Sequence, residues 1–471
     1  MKGYGQQQDN TPLKWTHINQ IMRDKKIAIL AVQETHMDEE RRESIGSIFG
    51  RRLHITASAD KDSPSQRAGI AIVFNKSFVN TSSEKTQVIH EGRAILSSIE
   101  WGGKKTLTIL AVYAPNTASE NTAFWQEIRQ FFADHPRVRK PDIMLGDFNM
   151  VEDAIDRNPS HNDGGPQTQE LAGLKADLHL RDGWRHLNPD SRAFTFSQPL
   201  SNGGARSRID RIYVTDQLLE RSSDWETNHS GLANTDHKLV SARVTNAAAP
   251  QQGKGRWSLP ERVIVDKAFR ERVKNLTKLA WEEICTMKNG PRTELNNAQK
   301  IYMDYKSKLR DEARRRDKIM TPKILRDIEA LKKDLLATEG SQDESQDLTS
   351  RLIEEKIAVL EKRRHNKIRD LGKVRNRLEG ETNSRYWMQT NKDLKPRDVI
   401  FALKDPNLPD GATKTSSKKM AELAMRYHND LQSNGRERDE IERELVIRRE
   451  SKPKQTSNTT ARWRKQSAQQ R

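Results

Sequence analysis

The chain has 471 residues, 32% of them charged, and a formal net charge of +17. Its single cysteine, Cys285, excludes an internal disulfide framework and a cysteine-based zinc site, and no apolar run approaches the roughly 20 residues that cross a bilayer as a helix. The charge is uneven: residues 1–250 hold 31 basic and 31 acidic residues, so residues 251–471, with 52 and 35, carry the whole surplus, and that half suits a polyanion partner, nucleic acid above all.

The chain opens on the polar run Met1-Lys2-Gly3-Tyr4-Gly5, which has no apolar signal segment, so nucleus or cytoplasm is the expected location. Lys14–Arg23 predicts a helix, because Trp15, Ile18, Ile21 and Met22 fall on one face. Strands are predicted at Ile27–Val32, Leu53–Ala57, Gly69–Phe74, Ala94–Ile99, Leu107–Tyr113, Asp142–Leu145, Arg208–Val214 and Leu239–Val244. Several are short continuous apolar runs, the mark of strands buried on both faces. Further helices are predicted at Asp38–Ile48, Glu120–Ala133 and Thr168–Asp177. Many strands with few helices imply an α/β fold of two packed sheets flanked by helices over residues 1–245. A linker rich in Ala, Gly and Pro follows at 246–256.

From 257 to 432 the pattern is basic and nearly all helical. Ile324, Leu325, Ile328, Leu331 and Leu335 line one helix. Ile353, Ile357, Leu360, Ile368, Leu371, Val374 and Leu378 line a longer one near heptad spacing, with the polar stretch Glu339–Gln346 between them. An antiparallel hairpin and a coiled-coil face for self-association both fit that spacing. Residues 433–471 are charged and polar, and disorder is expected there.

The chemistry-bearing residues recur at strand ends. Gly146-Asp147-Phe148-Asn149 follows the apolar run Ile143-Met144-Leu145, and residues two apart on extended backbone point the same way, so Asp147 and Asn149 aim at one target. Glu34 lies just past the strand ending at Val32, placed to offer a carboxylate to a hard cation such as Mg²⁺. Tyr113 closes another apolar run, where Pro115 stops the strand; its phenol suits a phosphate oxygen. Asp210 stands in a strand among Ile209, Ile212 and Val214, where a lone carboxylate is costly and needs a partner. Asp236-His237 supplies one just before the last strand; a carboxylate against the imidazole fixes its tautomer and favours its charged form.

Five words in this order, Gln33-Glu34-Thr35, Val112-Tyr113-Ala114-Pro115, Gly146-Asp147-Phe148-Asn149, Ser207-Arg208-Ile209-Asp210 and Thr235-Asp236-His237, resemble the endonuclease/exonuclease/phosphatase superfamily. Within it they look like the apurinic-type endonuclease domain of non-LTR, LINE-type retrotransposons, over residues 10–245. The stretch from Gly255 resembles the helical connector that precedes the reverse transcriptase of such elements. The resemblance implies a four-layer α/β/β/α sandwich of the DNase I-like kind and a Mg²⁺-dependent (or Mn²⁺-dependent) endonuclease that nicks one DNA strand to leave a 3′-hydroxyl and a 5′-phosphate. It implies that Glu34, with Asp236 nearby, binds the metal. Asp147 positions or deprotonates the attacking water, Asn149 holds water and phosphate, Tyr113 and His237 stabilise developing charge, and Asp210 orients His237.

Two departures accompany the resemblance. The family's opening strand, ending in an Asn beside the metal, is expected to lie before Met1, which leaves a sheet edge open and activity reduced. The chain also contains no Asp-Asp dipeptide, so the acidic pair of a reverse transcriptase is absent and the chain reads as part of a larger element. Three functions share these residues. They are a DNA endonuclease whose basic half holds DNA or RNA, a catalytically weak nucleic-acid-binding remnant, and a phosphatase of the same superfamily. The loop from Phe194 to Arg206 is a candidate DNA-reading surface.

Overall fold

The structure, a computed structural model, describes residues 7–433 apart from 9–10, 103–104, 199–201, 203, 233–234, 247–256, 288–292, 294–296, 339–343, 381–383, 385–386, 389–391, 397–399 and 407–412. The expected tail and most of the expected linker lie outside the described residues. The chain divides into two units, 1–399 and 400–471.

In the first unit, helix α1 (Leu13–Asp24) leads into strand β1 (Ile29–Gln33), helix α2 (Glu39–Phe49) and strands β2 (Leu53–Ser58) and β3 (Ile70–Asn75). These strands form an antiparallel sheet of order β1-β3-β2. A second, six-stranded sheet follows from β4 (Asn80–His90), β5 (Ala94–Glu100), β6 (Thr106–Tyr113), β7 (Ile143–Asp147), β8 (Leu180–Asp182) and β9 (Asp210–Thr215). Its order is β8-β9-β7-β6-β5-β4, with β6 and β7 parallel and the other pairs antiparallel. Helix α3 (Ala118–Asp134) makes the β6–β7 crossover, and α4 (Pro166–Leu178) precedes β8.

Alternation along each strand decides the layers. On β6, Leu107, Ile109, Ala111 and Tyr113 meet Ile70, Ile72 and Phe74 of the other sheet. The residues between them, Leu110 and Val112, meet Phe124, Trp125 and Ile128 of α3 with Leu171 and Leu174 of α4. The outer face of the small sheet, through Val32, Ala71 and Val73, takes Trp15, Ile18 and Met22 of α1 with Ile45 and Phe49 of α2. The order of layers is helix, sheet, sheet, helix: the four-layer α/β/β/α sandwich expected. Strands buried on both faces explain the continuous apolar runs.

A further hairpin joins β10 (Ser222–Asn228) and β11 (Leu239–Val244). Beyond it lie helices α5 (Lys267–Met287), α6 (Ala298–Met320), α7 (Lys323–Thr338) and α8 (Glu344–Glu379). Val263, Phe269 and Ala313 join α5 to α6, and Arg316 grips Asp266 through two hydrogen bonds of 2.9 Å. Helices α7 and α8 pack on each other as a hairpin. In the second unit, Leu403–Lys404 pairs antiparallel with Thr413–Lys414 ahead of α9 (Ser417–Ser433).

Candidate active site

Three neighbouring strands end at one level. Asp147 on β7 lies opposite Tyr113 on β6 and opposite Asp210 on β9. All three continue the alternation that points Ile109, Ile143 and Val214 at the facing sheet, so they emerge where the two sheets part. From that facing sheet comes Glu34, one residue past β1, with a left-handed φ of +52°. The Tyr113 hydroxyl donates to Glu34 Oε1 at 3.0 Å and so links the sheets. Gly69, at φ +89°, is what admits this turn: a Cβ there meets Thr35 Oγ1 at 2.5 Å.

Asp147 is 5% exposed. Its Oδ1 accepts from the Asn149 N–H at 2.9 Å, and Asn149 Nδ2 donates to the Ala114 carbonyl at 2.7 Å. Asn149 therefore turns left-handed at φ +50° and ties the loop after β7 to the loop after β6. Beneath it Phe148 is fully buried, stacked on Trp125 with centroids 5.4 Å apart.

His237 Nδ1 hydrogen-bonds Asp210 Oδ2 at 2.9 Å. The loop carrying His237 is stitched to the sandwich through Thr195: Lys238 N–H donates to the Thr195 carbonyl at 2.7 Å. Ser197 N–H donates to the Asp236 carbonyl at 3.3 Å. The Thr195 hydroxyl, fully buried, accepts from the N–H groups of Ile209 and Asp210 at 3.1 and 3.0 Å. Phe196 lies 5.1 Å from the His237 ring. The expected DNA-reading loop is thus corrected at its start: Phe194 and Thr195 are core, Phe196 lines the site, and 199–201 and 203 lie outside the described residues.

The electrostatics are those of two carboxylates set opposite one another. Burial, then the charge of Asp210, push Asp147 up to about 7, against the opposing pull of His237 and the Asn149 N–H. Burial works against a charged His237, but Asp210, Asp147 and Asp236 outweigh it and raise the ring to about 9. Burial and Glu34 raise Tyr113, so it stays a phenol and a donor. One ligand atom each from Asp147, Asp210 and His237 lie within 4.8 Å of one another. An imidazolium is not a ligand, so the donors suited to a cation are the carboxylate oxygens. A divalent cation fits this donor set: hard oxygens of Asp147 and Asp210 converge in a buried place where burial and then the neighbouring carboxylate already disfavour the charged Asp147.

Four supporting residues are not among those the sequence singles out. Arg208, buried two residues before Asp210, binds the buried Asp156 in a bidentate pair of 2.8 and 2.7 Å and reaches Asp182 at 2.8 Å. Arg211, fully buried, donates to the Met150 carbonyl at 2.7 Å and fixes the chain beyond Asn149. The signal available for these two was a cation on either side of Asp210 in a buried strand. Thr195 and Asp156 had none, because their partners lie 14 and 52 residues away.

An acid and histidine cluster thus sits where the two sheets of a four-layer sandwich part. The sequence pattern of the Endonuclease/Exonuclease/phosphatase family matches residues 12–237, and the chain carries a domain of that family. The chain is similar to the transposon TX1 uncharacterized 149 kDa protein of Xenopus laevis, 27% identical over 271 residues; the match spans 56% of this chain and 19% of that protein. Among solved structures it is similar to the 3′-5′ exonuclease NExo from Neisseria meningitidis (19% identity, 49% of this chain and 94% of that one, TM-score 0.40). It is also similar to the endonuclease domain of TRAS1, a telomere-specific non-LTR retrotransposon (16% identity, 52% and 96%, TM-score 0.37).

Proposed function

We propose that this chain is a retrotransposon-derived, Mg²⁺-dependent endonuclease that hydrolyses one phosphodiester of DNA. The observation that carries the reading is the alignment of Tyr113, Asp147 and Asp210 on three adjoining strands, with Glu34 and His237 closing on them from two other elements. Glu34 and Asp236, beside the converging carboxylates of Asp147 and Asp210, would hold the cation, which would supply charge neutralisation at a nonbridging oxygen. Asp147 takes the proton of the attacking water, and Asn149 orients that water. The new P–O bond forms as the P–O3′ bond breaks, leaving a 3′-hydroxyl and a 5′-phosphate. The His237 imidazolium and the Tyr113 hydroxyl face the extra negative charge of the transition state, where preorganised donors count most. Asp210 keeps His237 charged and aimed. The basic helical region contributes backbone affinity for DNA or RNA.

Purified protein with Mg²⁺ is expected to convert supercoiled plasmid to open circles, a chelator to stop this, and added Mg²⁺ to restore it. Asp147→Ala and His237→Ala are each expected to lower the rate at least about 100-fold with DNA binding retained. Nicking by both variants at the wild-type rate rejects the assignment. No nicking by the wild type, with binding intact, leaves the remnant reading in its place.

A further inference from the structure

The buried stripe of α8 is polar. Ser350, Glu354, Ile357, Glu361 and His365 recur at helical spacing and are 3%, 6%, 1%, 5% and 7% exposed. A connector helix with no further task has no need to bury two glutamates, since burying a charge is costly unless it is paired. Ser350 bonds Thr338 of α7, but Glu354, Glu361 and His365 of this stripe meet the described residues of the 228–238 loop, the segment that delivers Asp236 and His237.

The contacts run along that loop. Lys332 Nζ on α7 donates to Asn228 Oδ1 at 3.0 Å. Gly231 packs so closely that a Cβ would meet His365 Cδ2 at 2.8 Å and the Glu361 backbone at 3.4 Å. His17 Nε2 on α1 bonds the Ser230 carbonyl at 2.8 Å, and its ring lies 4.0 Å from that of His365, so α1, the loop and α8 close on one another. Lys238, the residue after His237, is ion-paired with Glu354, and the two side chains are only 9% and 8% exposed. Arg351 donates to the Gly204 carbonyl of the neighbouring loop. The His237 loop is thus held on its inner side by Thr195 and Asp210 and on its outer side by α8.

We infer that the α7–α8 hairpin is a working part of the nuclease site, and that Glu354 is a positioning residue which sets His237 through Lys238. The inference rests on the endonuclease reading for its catalytic half only. A loop that must keep an imidazole aimed at a phosphate loses rate steeply when it is misplaced, about 100-fold for an error near 1 Å. The buried pair specifies where the loop sits. With Glu354 neutralised, Lys238 becomes an uncompensated buried cation that draws the loop toward solvent.

The test uses the full chain and two readouts. In Glu354→Gln, amide exchange over 228–238 is expected to speed at least about tenfold while that of Ile143–Asp147 is unchanged. Plasmid nicking is expected to lose about 10- to 100-fold in kcat, with KM within about twofold of wild type. Lys238→Met should behave alike, and the double variant Glu354→Gln/Lys238→Met should recover most of the rate, since neither charge is then left alone. Glu354→Gln with wild-type exchange and wild-type kcat overturns the inference, and so does a double variant whose losses simply add. If the wild type does not nick, the endonuclease reading fails, while the exchange readout still decides whether α8 holds the loop.

Discussion

Gly146 separates the inner strand residues from Asp147, and its missing side chain decides how closely β6 and β7 approach. A Cβ there lies 1.9 Å from the Val112 carbonyl oxygen, at a φ of +149° that side chains avoid. Gly146→Ala is therefore expected to cost more than about 2 kcal/mol, read as a lower midpoint in urea or thermal unfolding. It is also expected to weaken nicking under conditions where the variant is still folded, because Asp147 loses its register with Tyr113 and Asp210. An alanine variant as stable as wild type means that β6 and β7 are not in contact as described. A similar dependence on neighbours governs which residues a linear reading can find. Glu34, Tyr113, Asp147, Asn149, Asp210 and His237 announce themselves, since each is polar at the end of an apolar run. Arg208 and Asp156 form a pair across 52 positions, and no local pattern joins them.

Elements with buried faces were legible and elements without them were not. The predicted strand Leu107–Tyr113 matches β6 because alternate residues serve two cores. Strands β4 and β10 have no such pattern: both are polar, β4 largely exposed at the edge of its sheet and β10 at most half-buried, and their pairing is a matter of backbone that no side-chain period records. Helix α8 shows the opposite fault. Its apolar positions were legible as a stripe, yet Leu371, Val374 and Leu378 are exposed, and the face that matters is the polar one beside it. That face has a pH dependence. Burial first, then His17 and Arg364, lower His365 to about 4; burial, then Lys238, hold His229 at about 4 despite Glu354; burial lowers His17 despite Ser230 and Glu361. The other charges facing them are Arg369, Lys25, Lys332 and Asp24. A histidine whose folded value is depressed stays neutral in the docked state. Its contribution is complete above 6.5 and is lost as pH falls from there toward about 4. Docking of α8 is thus expected to weaken over that window, by on the order of 1–3 kcal/mol. Exchange of the α8 amides, corrected for the intrinsic rate, is the measurement. A His17→Asn/His365→Asn variant should flatten the profile; an unchanged profile in it removes the cluster as the cause.

At the scale of the whole molecule, a charge-neutral first half is joined to helices that hold the positive charge, and on the proposed endonuclease reading that division sets how DNA is retained. Helix α8 joins the two. Its first half docks through Glu354 and Glu361, whereas residues 362–377 hold eight basic residues and one acidic, Asp370. Lys362, Arg363, Lys367 and Arg377 are exposed there. Each cation that neutralises a phosphate releases counterions and adds about 0.9 to the slope of log affinity against log salt. Changing these four to Gln is expected to flatten the slope by about 2 to 4, measured by DNA binding between 50 and 200 mM salt, because some but not all of them reach the backbone at once. The same variant should nick at saturating DNA at the wild-type rate, since all four are exposed and none is hydrogen-bonded or ion-paired to the described residues of the 228–238 loop. A slope unchanged by the four substitutions places the polyanion contact elsewhere in the basic half. A fall in the saturated rate with no change of slope means that this end of α8 serves the site rather than the DNA backbone.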